Sequence, residues 1–209
     1  QAVPDAGAAD LLVVAVDADR DVVVDLRGDG VTVEPADALD PTRRLSTVRL
    51  ARARAQPLRG AGSRSRASDT VAVAIAAESV GVAQRTMEMA VAHARDRRQF
   101  GQPIGVFQAV SHACAQMLLE VEGARSAVLY AAWALDAAPD EAPLAAAMAK
   151  AYASDAGRRV PAAALQVLGG IGFTWEHDLH LWLKRGHANA ATWGDARSHR
   201  RRVADLLAL

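Results

Sequence analysis

Arg97 and Arg98 close a long segment of helical apolar spacing, and Gly101, Pro103 and Gly105 follow them directly. The fork of N–H donors on an arginine matches phosphate oxygens. A helix end followed by glycine and proline makes a sharp turn. The stretch 94–108 therefore reads as the tip of an α-hairpin able to hold an anionic group, although solvated surface arginines are the commoner explanation of such a pair. A second candidate is Gln166-Val-Leu-Gly-Gly-Ile-Gly-Phe173, whose clustered glycines let a backbone bend sharply or come close to a ligand. Its spacing is not the dinucleotide Gly-x-Gly-x-x-Gly and no strand precedes it, so a Rossmann reading fails. Taken alone it is a helix end and a turn.

Other side chains invite chemistry less strongly. Glu78 sits on or beside an apolar helical stripe, where burial would raise its pKa toward the range of a general base. An ion pair at a helix interface is the commoner fate of such a carboxylate. His177 and His180 in Glu176-His-Asp-Leu-His180 lie one turn apart, but no thiolate or third histidine supports zinc, and no metal is expected. His199-Arg-Arg-Arg202 reads as a solvated helix face or a subunit contact before it reads as a phosphate site. Cys114, the single cysteine, falls in an apolar pattern and reads as a core residue.

The elements that must position these residues are written in two periods. Leu11–Val16, Asp21–Leu26, Gly30–Glu34 and Ser46–Ala51 are short β-branched runs separated by Asp- and Gly-containing turns. Together they predict a small antiparallel sheet over 1–60, marginal by itself and in need of further strands or a partner. Residues 61–67 read as a linker, with Ser68 or Asp69 as a helix N-cap. Over 68–209 the period is helical. Val73, Ala76, Val80, Ala83, Met87, Ala90 and Ala94 form one stripe, and Phe107, Val110, Cys114, Met117, Val121, Ala124, Val128 and Leu135 a second. Residues 139–168 form a third, alanine-rich helix that Pro161 should kink or split. Two shorter helices, near 178–187 and 196–207, complete an antiparallel bundle. The fold class is α+β.

With 209 residues, 51% hydrophobic and 23% charged, the chain can bury one or two real cores. Its formal net charge of zero calls for neither nucleic acid nor an anionic membrane. No apolar run is long enough to span a bilayer and no signal peptide is visible, so a cytoplasmic location is expected. The chain opens at Gln1 in mid-pattern, which suggests a fragment or a processed chain.

Arg97-Arg-Gln-Phe-Gly101, Pro103-Ile-Gly-Val-Phe-Gln108, Ala147-Met-Ala-Lys150 and Gln166-Val-Leu-Gly-Gly-Ile-Gly172 together resemble the C-terminal helical domain of the acyl-CoA dehydrogenase family, in its order and spacing. The strands over 1–60 resemble the closing part of that family's middle β-domain. The resemblance implies FAD held across a subunit interface, in a dimer or tetramer. It implies that Arg97 contacts the FAD pyrophosphate, that Gln99 and Phe100 accompany it, and that Gln108 touches the flavin. It further implies that Gln166, Gly169 and Gly170 bring backbone to the cofactor of a neighbouring protomer, and that Asp195 stands near its adenine end.

The resemblance departs at the catalytic base. Members abstract an α-proton from an acyl-CoA thioester with a glutamate; its place here is held by Trp193, and the alternative place on the first bundle helix by Val71. Neither accepts a proton. The Trp-Gly-Asp variant and the turn Phe173–Asp178 resemble actinobacterial members acting on steroid side-chain thioesters, which work as heteromers with a paralogous catalytic subunit. A non-catalytic subunit of such an assembly is the expected role. A structural or oligomerisation module without cofactor, and an active dehydrogenase with its base relocated to Glu78, are the alternatives.

Overall fold

The computed structural model describes residues 2–17, 20–58 and 63–209. The chain divides into two compact units, Gln1–Arg64 and Ser65–Leu209.

The first unit holds six short strands, β1 (Ala2–Pro4), β2 (Leu11–Ala15), β3 (Asp21–Asp25), β4 (Val31–Ala36), β5 (Leu45–Leu50) and β6 (Ala55–Pro57). They form two antiparallel sheets, ordered β1-β5-β4 and β2-β3-β6, where the sequence suggests one sheet of four strands. The two extra strands, β1 and β6, have three residues each and end in proline, too short to show a period of two. Leu12 faces Val24 and Val33 faces Val48 across the ladders. Ala6, Leu26 and Val48 make a small core with Val3, Leu12, Val31 and Val33.

The second unit is the bundle. Its first helix, α1 (Ser63–Asp96), begins earlier than the sequence suggests, so residues 63–67 of the expected linker are helical; 61 and 62 lie outside the described residues. No glycine or proline interrupts 63–67, which removes any reason for the helix to wait. Ser68 and Asp69 therefore sit inside α1 and do not cap it.

α1 and α2 (Gln108–Ala137) are joined by a two-residue hairpin, β7 (Arg98–Gln99) against β8 (Gln102–Pro103). Phe100 and Gly101 at its tip have φ of 52° and 79°, the left-handed pair that a tight hairpin turn requires. The third helix, α3 (Ala142–Leu168), runs antiparallel to α2 and is followed by α4 (Leu179–Ala191) and α5 (Ala196–Leu206). The stripes anticipated on α1 and α2 are the buried ones. Val73, Ala76 and Val80 pack with Ala124, Val128 and Ala131 and a run of α3 alanines. Ala83, Ala90 and Ala94 pack with Met117, Val121, Val160, Ala164 and Leu168.

Pro161 neither splits nor ends α3. A proline frees the carbonyl four residues back, here that of Gly157. At that carbonyl α4 packs too tightly for any side chain: a Cβ built on Gly186 would lie 2.1 Å from the Gly157 oxygen. The freed acceptor faces the bare Cα of Gly186, a contact recurrent where helices cross closely.

Candidate functional site

The antiparallel course of α1, α2 and α3 brings the end of α1, the start of α2 and the end of α3 to one end of the bundle. The shared core of Ala94, Ile104, Val110, Val167 and Leu168 fastens them together. This end carries Arg97, Gln99, Phe100, Gln108, Gln166, Gly169 and Gly170. The side chains of Arg97, Gln99, Gln108 and Gln166 are exposed, and among the described residues neither Arg97 nor Arg98 has a carboxylate in ion-pair range. Phe100 is 92% exposed, its ring edge-on to Phe107 at 6.1 Å. Gly169 ends α3 at φ 61° and ψ −139°, a conformation only glycine holds without strain. A Cβ on Gly170 would meet nothing within 4 Å, so no neighbour within the chain demands a glycine there. The result is an unneutralised cationic tip beside open backbone. Burial is the largest cause, and Arg97 the second, that lowers the pKa of His93, with His177 adding to it and Asp96 opposing.

Trp193 and Asp195 stand elsewhere. They lie in the turn between α4 and α5, and the Trp193 indole N–H donates to the Ser68 carbonyl at 3.1 Å and the Ser68 hydroxyl at 3.0 Å. Val71 is one turn further along α1, so the two positions at which the resemblance places a base meet at this corner. From Val71 to Arg97 α1 rises 26 residues, about 39 Å at 1.5 Å per residue. Trp193 and Gly194 both have positive φ, 62° and 91°. Asp195 caps α5 by accepting from the Ser198 N–H at 2.8 Å, and that backbone bond is the chief cause of its lowered pKa. A cavity of about 340 Å³ opens beside the turn, lined by Ser68, Trp193, Gly194, Ser198, His199 and Arg202.

Two residues that sequence reasoning does not assign to this turn hold it in place. Lys150 is fully buried, and its ammonium donates to Ser154 Oγ at 2.9 Å, the Asn189 carbonyl at 3.1 Å and the Gly194 carbonyl at 2.9 Å. His199 is buried with Nε2 3.0 Å from the Trp193 carbonyl, which can only accept, so Nε2 carries the N–H; burial is the leading cause that lowers the ring's pKa. The one available signal was a lysine set among alanines in a chain with only two lysines, Lys150 and Lys184.

The remaining candidates resolve into structural contacts. Glu78 of α1 pairs with Arg185 of α4. Within His199–Arg202, Arg202 pairs at 2.5 Å with the buried Asp69 and Arg200 pairs with Asp155, so two of the three guanidinium groups are already engaged. His177 accepts the Leu179 N–H at 3.1 Å, and no group of three metal-ligating side chains occurs among the described residues. Cys114 is half-buried, and burial pushes its thiol pKa up. No described helix is long and apolar enough to cross a membrane.

Residues 63–208 match the family described as acyl-CoA dehydrogenase, C-terminal domain. The chain is 43% identical over 186 residues to acyl-CoA dehydrogenase FadE34 of Mycobacterium tuberculosis, which covers 88% of the chain and 26% of that protein. It is 37% identical over 179 residues to acyl-CoA dehydrogenase IpdE2 of Mycolicibacterium smegmatis, covering 84% and 53%. The chain thus spans between a quarter and about half of these relatives' lengths. Among solved structures, it superposes on the Tcur3481-Tcur3483 steroid acyl-CoA dehydrogenase with a TM-score of 0.89 at 28% identity, over 99% of the chain and 57% of that one. The ChsE4-ChsE5 complex of Mycobacterium tuberculosis gives 0.89 at 26%, over 100% and 59%.

Proposed function

The chain belongs to the acyl-CoA dehydrogenase family, and from that premise we propose that it is a flavin-holding, non-catalytic part of an enzyme that introduces an α,β double bond into acyl-CoA thioesters. FAD, when bound, supplies the hydride acceptor for that chemistry. The residues present fit it. Arg97, without a carboxylate partner among the described residues, offers charge-assisted donors to a pyrophosphate, and the open backbone at Gly169–Gly170 admits a close ligand. Gln99, Phe100, Gln108 and Gln166 surround that end, while Asp195 belongs to the distant corner.

The observation that carries the non-catalytic assignment is Trp193. It occupies the base position with its indole N–H committed to Ser68, and Val71 beside it offers only hydrocarbon. The missing carboxylate would come from a second, paralogous chain, and the steroid acyl-CoA dehydrogenase and the two-chain complex among the similar structures support a bulky substrate and a heteromer. The relocated base at Glu78 is the weaker reading, because Arg185 already takes that carboxylate.

Co-expression with a paralogue carrying the glutamate, followed by flavin spectra and acyl-CoA turnover, tests the proposal. Activity is expected only in the mixed assembly and unchanged by Glu78→Gln. Turnover at ordinary rates by this protein alone, full-length and FAD-loaded, would sink it.

A further inference from the structure

Lys150 has three ammonium hydrogens and three acceptors: Ser154 Oγ in its own helix, the Asn189 carbonyl at the end of α4 and the Gly194 carbonyl in the following turn. Two of those acceptors bracket Trp193. The turn needs such an anchor, since consecutive left-handed residues, one of them a tryptophan, are conformationally costly and persist only where neighbours over-determine them. Ser154 and Asn189 are buried with Lys150, so water cannot readily replace a lost bond.

We propose that Lys150 is a positioning residue and proton-dependent latch: its ammonium form holds the Trp193–Gly194 turn, and with it the wall of the adjoining cavity, through all three bonds, and its neutral form does not. A neutral amine has two hydrogens, so one of the three acceptors loses its donor on deprotonation.

The surroundings place that event within reach. Burial lowers the Lys150 pKa to about 8, with Asp195 at the start of α5 partly opposing. Around the neighbouring His199 of α5 stand Arg202 and, from α1, Asp69. The sign is fixed by the depressed value. Between about 8 and the ordinary lysine value of 10.5 the unfolded chain holds the proton and the folded chain does not, so stability rises with pH there. The latch opens inside a folded protein. His199 cannot mimic it, because its own shift is downward from 6.5.

NMR on the full chain decides the matter, helped by there being only two lysines. The side-chain carbons of Lys150 and the indole N–H of Trp193, assigned with Trp193→Phe, are expected to shift together with a midpoint near 8, and the Trp193 shift is expected to vanish in Lys150→Met. A Lys150 midpoint near the ordinary lysine value overturns the latch. So does a Trp193 resonance that stays fixed while Lys150 titrates, or one that moves only below 6.5. Should Lys150→Met fail to fold, the two wild-type titrations still separate a latch from its absence. None of these readouts uses flavin or turnover, so they stand apart from the proposed dehydrogenase role.

Discussion

Asp195 shows how one side chain at the candidate site is held by local physics alone. It accepts the Ser198 N–H as the N-cap of α5, while the Ser198 hydroxyl returns a bond to the Asp195 carbonyl at 2.8 Å. Because the N–H bond lowers its pKa from 3.8, the carboxylate's contribution to folding is present above 3.8 and is lost as pH falls through the lower folded value. Asp195→Asn keeps an acceptor at the cap but has no proton to gain. Thermal melts on the two proteins are expected to converge in acid and to separate toward neutrality, with the aspartate the more stable. Parallel curves across that range would remove the charge from the account. The same turn explains why Trp193 is legible in sequence only as a missing glutamate. Its position follows from Lys150, His199 and Ser68, which lie 43 residues before it, six after it and 125 before it; no local pattern records such partners.

At the level of elements, helical periodicity carries α1 and α2 well, because one apolar stripe on each meets a single core. It fails where backbone, not side-chain pattern, decides. Pro161 signals a break, yet α3 continues because the crossing of α4 at Gly186 accommodates the freed Gly157 carbonyl. The hairpin β7–β8 was legible as a turn through Gly101 and Pro103, though not as a strand pair, since an aromatic residue at left-handed φ is rare. Two glycines then separate packing from ligand contact. Gly186→Ala drives a methyl onto backbone at 2.1 Å and is expected to cost about 1–3 kcal/mol or more, read as a lowered Tm. Gly170→Ala meets nothing within the chain and is expected to leave Tm nearly unchanged while weakening flavin retention. A Gly170→Ala protein that melts early, or a Gly186→Ala protein that melts normally, would contradict this assignment of roles.

For the whole molecule the decisive quantity is the separation of its two candidate clusters. Arg97 and the Gly169–Gly170 backbone sit at one end of α1, while Trp193, Val71 and Asp195 gather about 39 Å away by helix rise. One dinucleotide cofactor cannot touch both within one protomer. Under the proposed function each end would serve a different flavin, or share one with another chain, so cofactor retention and assembly should be linked in the manner of any ligand that binds only the associated state. On dilution, flavin release monitored by absorbance is expected to follow the same concentration dependence as dissociation monitored by sedimentation. Arg97→Ala should break the link from one side: about 1.5–3 kcal/mol for a lost charge-assisted bond corresponds to roughly tenfold to a hundredfold weaker flavin binding. The Arg97 side chain is exposed, so the apoprotein of that variant should assemble as the wild-type apoprotein does. Full flavin occupancy in a demonstrably monomeric species would show instead that one end of the bundle is sufficient.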